Sequence, residues 1–127
     1  MSTLSKVYGS FESIRPLRIW PGVLAREVRG DGVSFALIEL EPNVEVAEHS
    51  HPNEQVGFII EGTFSFKIGG EARELKAGDT YVIPGGVRHS AQAGPEGTVA
   101  LDIFSPPRED WEALDRAEPR KAGWPPR

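Results

Sequence analysis

The sequence predicts an all-β fold, a closed antiparallel barrel or jelly roll. Three observations point there. Glycine (14) and proline (11) are plentiful in a chain of 127 residues and are spread between short apolar runs, as in short strands joined by tight turns. Those runs alternate apolar and polar residues with period two. Only one stretch, near the C-terminus, has helical spacing. With little helix to cover sheet edges, closure of the sheet is favoured.

The elements follow in order. Residues 1–17 lack periodicity and read as an arm or an edge strand. Ile19-Trp20-Pro21-Gly22 is a strand end and a turn. Val23 to Val28 reads as a strand, closed by Gly30-Asp31-Gly32. In Val33 to Leu40, Val33, Phe35 and Leu37 interleave with Ser34, Ala36 and Ile38, a β pattern. After the Glu41-Pro42-Asn43 turn comes a short strand, Val44 to Val46. Val56 to Ile60 looks like a buried strand, and Glu61-Gly62 turns the chain into Thr63 to Ile68. Gly69-Gly70 is a hairpin signal, leading to Ala72 to Leu75. Thr80 to Ile83, Val87 to Ala93 and Val99 to Phe104 complete the series, with turns at Ala77-Gly78-Asp79 and Pro84-Gly85-Gly86. Glu109 to Ala117 reads as one helix, with Trp111, Leu114 and Ala117 on one face. The tail, Glu118 to Arg127, is rich in proline and charge.

The length suits one domain, 1–127, divided into an arm (1–17), a barrel (18–105) and a C-terminal helix with tail (106–127). The net charge of -5, with scattered basic residues, argues against nucleic acid or an anionic membrane as a partner, because phosphate binding needs clustered Lys and Arg. The absence of cysteine excludes disulfides, zinc–thiolate sites and thiol nucleophiles. Met1 to Leu17 shows no apolar signal core, and no apolar run approaches the ~18 residues of a membrane span. A cytoplasmic location is the expectation.

The chain has three histidines: His49, His51 and His89. On a strand, residues i and i+2 share a face, so His49 and His51 can aim two imidazoles at one point. Gln55, four beyond His51, keeps that parity if the backbone stays extended, whereas Glu54 has the opposite parity. His89 follows a Pro-Gly-Gly turn, and a barrel interior can bring it to the first pair. Three imidazoles and one amide oxygen make a site for one divalent transition metal (Zn, Ni, Mn or Fe) with positions left for solvent or substrate. A neutral amide leaves the ion its full charge, which favours Lewis-acid work on a carbonyl, carboxylate or hydroxyl. The bland alternative, surface or core histidines without metal, does not account for all three falling in one spacing pattern.

These segments resemble the paired motifs of the cupin superfamily. The first reads His49-x-His51, three residues, Gln55, six residues, Gly62; the family usually has Glu at the Gln55 position. Asn43 stands where the family has glycine, and asparagine tolerates left-handed backbone. The second reads Gly78, five residues, Pro84-x-Gly86, two residues, His89, with Ala93 where the family often has asparagine. The resemblance implies the cupin double-stranded β-helix, a jelly-roll barrel. A narrower resemblance links His49-Ser50-His51-Pro52-Asn53-Glu54-Gln55-Val56-Gly57 and the string Asp102 to Asp110 to small single-domain cupins of the KdgF type. That family converts 4,5-unsaturated monouronates to the linear keto form. It implies activity roles for Asp102, Phe104 and Arg108 beside the metal, and a homodimer.

These residues can act as the resemblance implies, or as plain structure. Asp102 facing the interior is a general acid or base; facing out, it is a surface carboxylate. Phe104 walls a sugar ring or simply fills the core. Arg108 clamps a substrate carboxylate or pairs with Glu109 or Asp110. Glu54 is solvated or supports an imidazole N–H, and Trp20, Phe35 and Tyr81 read as packing residues. The leading expectation is a metal-dependent enzyme acting on a small-molecule substrate, a sugar acid, by ring opening and tautomerisation. The alternatives are an iron- or copper-dependent dioxygenase and a non-catalytic module that binds a small ligand.

Overall fold

The computed structural model describes residues 7–126; the first six residues of the expected arm, and Arg127, lie outside the described residues. The described residues form eight strands, all paired antiparallel: β1 (Leu17–Trp20), β2 (Val23–Arg29), β3 (Ser34–Leu40), β4 (Glu45–His49), β5 (Glu54–Ile68), β6 (Glu71–Lys76), β7 (Thr80–Ile83) and β8 (His89–Ser105). Among the described residues no helix is long and apolar enough to cross a membrane.

Two pairs of expected strands are single long ones. The expected turn at Glu61-Gly62 is a bend inside β5, where the register with β8 shifts between Ile59 and Glu61 and again between Gly62 and Phe64. Gly62 and Gly97 face each other across this bend with φ of 81° and 85°, a backbone that glycine adopts without cost. A Cβ on Gly62 would run into the Gly97 carbonyl. Because β5 and β8 bend together, each serves two neighbours. The first half of β5 pairs with β7 and its second half with β6. The first half of β8 pairs with β4 and its second half with β3. The result is a jelly roll whose interior holds Ala36, Ile38, Ile59, Phe64, Phe66, Ile83 and Ala100. Asn43 takes φ 60°, the left-handed conformation that asparagine tolerates.

The expected C-terminal helix is absent. Glu109–Trp111 forms a single 3₁₀ turn, and one further turn closes from Leu114 N–H onto Trp111 O at 3.2 Å. Trp111 and Ala117 are buried as the spacing implied, but the backbone beyond Leu114 bonds elsewhere. Ala117 N–H donates to Pro16 O at 2.8 Å, and Arg18 N–H donates to Asp115 O at 2.9 Å. A nine-residue helix is marginal by itself, and the open side of β1 offers better partners.

Arg26, on the outer face of β2, ties both ends of the chain to this sheet. Its side chain is 1% exposed and pairs with Glu39 at 3.2 Å. It also donates to the carbonyls of Phe11, Ile14 and Arg120. Replacing Arg26 with methionine keeps the bulk but leaves Glu39 unpaired and strips three part-buried carbonyls of their donor. Unfolding in urea should then show a loss of about 3–5 kcal/mol. A loss below about 1 kcal/mol would mean that water replaces the guanidinium there.

Candidate metal centre and adjoining cavity

His49 ends β4 and His89 begins β8, and the two stand opposite each other in the strand register. His51 lies in the connection to β5, and Gln55 is the second residue of β5. The three rings converge: His49 and His89 centroids are 4.3 Å apart, His51 and His89 4.9 Å, and His49 and His51 6.1 Å. One nitrogen from each ring lies within 4.8 Å of the others, so the three can hold a metal ion.

The hydrogen bonds set the tautomers. Nδ1 of His49, His51 and His89 meets the carbonyls of Ala47 (2.8 Å), Asn53 (3.0 Å) and Val87 (2.9 Å). A carbonyl only accepts, so each Nδ1 carries the proton and each Nε2 is left as a lone pair. The imidazole N–H groups are thus held by carbonyls, and Glu54 is exposed, which excludes the supporting role considered for it. Burial lowers the pKa of His51, with help from the Arg108 charge, and burial lowers that of His89 to about 4. Both rings are therefore neutral near pH 7, the form that binds metals.

The His51–Gln55 contact tests the fit. Nε2 of His51 faces Oε1 of Gln55 at 3.0 Å. With the ring proton on Nδ1, two lone pairs meet, and a cation suits both. The protonated ring that would otherwise satisfy them is disfavoured by burial. The donor set of three imidazoles and one amide oxygen suits a divalent transition metal.

Asp102 and Phe104 face inward from β8 while Leu101 and Ile103 face outward, so the inward reading holds for both. Asp102 is 8% exposed and accepts from the Tyr81 hydroxyl at 2.6 Å. The register explains how this bond arises. Gly57 on β5 sits between Tyr81 on β7 and Asp102 on β8, and its missing side chain lets the two reach across. A Cβ at Gly57 would lie 2.5 Å from Asp102 Oδ1 and 2.8 Å from the Tyr81 oxygen. Glycine inside a strand often marks such a close approach. Burial raises the Asp102 pKa from 3.8 to about 6, opposed by the bonds from Tyr81 and Gln55. Burial, and then the Asp102 charge, push the Tyr81 hydroxyl well up. The packing role expected for Tyr81 is thus incomplete: it buries its ring and holds the carboxylate.

Arg108 is buried. Its guanidinium carbon lies 5.2 Å from the Phe104 centroid and 4.9 Å from that of Trp111, stacking that suits arginine. Its Nε and Nη2 donate to the two oxygens of Asp110 at 2.8 and 2.7 Å. The pairing with Asp110 therefore exists, between a buried guanidinium and an exposed carboxylate. Phe104 is core by burial, 2% exposed, and also packs its ring 5.8 Å from His51.

His49, Gln55, His89, Tyr81, Asp102, Phe104 and Arg108 line one cavity of about 70 Å³. Trp20 closes its rim, 40% exposed and 4.9 Å from the His49 ring, where the sequence suggested only packing.

The chain belongs to the cupin family: the Cupin domain model matches residues 36–104. Among curated proteins it is similar to the pectin degradation protein KdgF of Dickeya dadantii, 38% identical over 64 residues. That match covers 50% of this chain and 58% of the relative, so it spans somewhat over half of the relative's length. Among solved structures it is similar to an RmlC-like cupin from Shewanella frigidimarina, with TM-score 0.77 and 29% identity over 84% of this chain and 96% of that one. It is also similar to KdgF from Halomonas sp., with TM-score 0.73 and 26% identity over 81% of this chain and 98% of that one.

Proposed function

We propose that this protein is a metal-dependent enzyme that linearises a 4,5-unsaturated uronate or a closely related sugar acid. The observation that carries the reading is Asp102: a buried carboxyl with a pKa near 6, in the wall of the cavity that His49 and His89 also line. The similarity to two KdgF proteins supports the substrate class.

The reaction is an isomerisation. The ring opens as the anomeric hydroxyl loses its proton and the C1–O5 bond breaks. O5 keeps the electron pair of that bond, and the resulting enolate at C5 becomes a ketone when C4 gains a proton. One proton leaves oxygen and one arrives at carbon, so a single carboxyl that titrates near neutrality can accept the first and deliver the second. Asp102 fills that role, and the Tyr81 hydroxyl holds its Oδ1 in place. A bound divalent ion would act as a Lewis acid toward the substrate's oxygens. His49, His51, Gln55 and His89 would hold that ion. Arg108 presents Nη1, which has no protein partner among the described residues, to a substrate carboxylate, while Asp110 steadies its other edge. Phe104 and Trp111 flank the guanidinium.

At about 70 Å³ the cavity has room for one or two waters and none for a sugar ring. On this reading the cavity lining opens to admit the substrate. The direct test is turnover of 4,5-unsaturated galacturonate by metal-loaded protein, followed by loss of the conjugated alkene and appearance of the keto product. Oxygen consumption by iron-loaded protein without isomerisation would replace this reading with a dioxygenase. Binding of the acid without any turnover would replace it with a ligand-binding module.

A homodimer belongs to the same proposal. The outer sheet face leaves Val33, Phe35, Phe58 and Val82 exposed, an apolar face of the kind that subunits cover. Light scattering should give twice the chain mass; a monomer at micromolar concentration would refute it.

A further inference from the structure

Asn53 has no part in the chemistry above, yet it is 5% exposed and its polar atoms face two ways. It sits in the short connection that leaves β4 after His49 and enters β5 at Glu54. Its carbonyl oxygen accepts the Nδ1 proton of His51 at 3.0 Å. Its side-chain Nδ2 donates to the carbonyls of Pro106 at 2.6 Å and Pro107 at 3.2 Å. Arg108 is the next residue.

The strap from Ser105 to Trp111 needs such an anchor. Pro106 and Pro107 have no N–H to give, so their segment cannot hold itself to a neighbour by backbone donors. Ser105 Oγ donates to Gly32 O at 3.0 Å, and Arg29 donates to the Arg108 carbonyl. Both of those fix the strap to the β2–β3 side. Where the β5–β8 pairing ends, at Glu54 opposite Ser105, the Asn53 side chain carries the connection on to Pro106 and Pro107, from the segment that holds His51. An amide is the group that fits: its two N–H donors meet two carbonyls, while a carboxylate of the same shape would set oxygen against oxygen.

We propose that Asn53 is a positioning residue that ties the orientation of His51 to the placement of the Arg108 strap, so that filling the metal site and seating Arg108 over Phe104 and Trp111 are one event. This rests on the metal-site reading. The bland alternative is a turn asparagine that merely satisfies two buried carbonyls. That role stabilises the fold equally with and without metal, and the two can be separated.

The experiment is hydrogen exchange by mass spectrometry on the full chain, metal-free and zinc-saturated, with zinc affinity measured separately by competition with a chromophoric chelator. The reporters are the amides of Glu112 and Leu114, which close turns back onto Glu109 and Trp111 at the end of the strap. In the unaltered protein zinc should slow their exchange by about fivefold or more, the lower end of ordinary coupling between sites. Asn53→Ala and Asn53→Asp keep the backbone carbonyl that holds His51. They should still bind zinc within about tenfold of the unaltered protein but lose the zinc-dependent slowing. Asn53→Asp should also exchange faster than Asn53→Ala in the metal-free state. Zinc-dependent slowing that survives in either variant overturns the proposal. So does zinc binding by the unaltered protein with no change in strap exchange, which decides the matter even if both variants fail to fold. Failure of the unaltered protein to bind zinc at all would sink the metal centre itself, and the coupling with it.

Discussion

Asp102→Asn lowers turnover of a 4,5-unsaturated uronate by about 10²–10⁴-fold, the range that one positioned acid–base group supplies. Zinc affinity changes far less, because Asp102 reaches the metal ligands only through the Gln55 amide. The fold also tolerates the change. In the metal-free chain burial raises the folded pKa of Asp102 above its unfolded value of 3.8, to about 6. Its protonated form therefore stabilises the fold at low pH, and that contribution is lost as pH rises through about 6. At pH 7 and above the folded chain carries a buried carboxylate at a cost, and asparagine removes it. Metal-free Asp102→Asn is thus at least as stable as the unaltered chain at pH 8, and this relative gain disappears at pH 4. Steady-state kinetics with the uronate and urea unfolding at the two pH values check both halves. Full activity in Asp102→Asn, or in Asp102→Ala, removes this residue from the mechanism.

His89→Ala weakens zinc binding by more than about 100-fold, since loss of a ligand exceeds the 10–100-fold typical of losing a residue that merely supports one. His89 stands opposite His49 in the register, and its ring lies within 5 Å of both other imidazoles, completing the three-histidine group that could hold an ion. Gln55→Ala has a smaller effect, because it removes a neutral oxygen and leaves three imidazoles. Competition against a chromophoric chelator gives both affinities. Activity should disappear on chelation and return with added divalent ion. An unchanged affinity in His89→Ala would show that the metal sits elsewhere or that the three rings serve another purpose.

Much of this was legible in the residue pattern. Period-two alternation puts Asp102 and Phe104 on one face, opposite Leu101 and Ile103, without saying which face is inward, and the i, i+2 spacing brings His49 and His51 together. Asn43 marks a left-handed turn. What escaped depends on contacts distant in sequence. Tyr81 reads as packing because alternation reveals which side it faces, not that Gly57 opens a path from its hydroxyl to Asp102. Glycine in the middle of a strand was the available signal. Asn53 lies inside the histidine motif, but its partners, Pro106 and Pro107, are more than fifty residues away. Trp20 had no neighbour in sequence to place it beside His49. The helix expected over Glu109 to Ala117 failed because the spacing of Trp111, Leu114 and Ala117 records burial alone. Backbone partners offered by Pro16 and Arg18 decided the conformation.

The most direct measurement is metal content by elemental analysis, on protein purified without added metal, for the unaltered chain and His51→Ala. About one divalent ion per chain, lost in the variant, is the result expected of a site built from three imidazoles and an amide oxygen. No bound metal in either sample, even after incubation with zinc, nickel, manganese and iron, would contradict it.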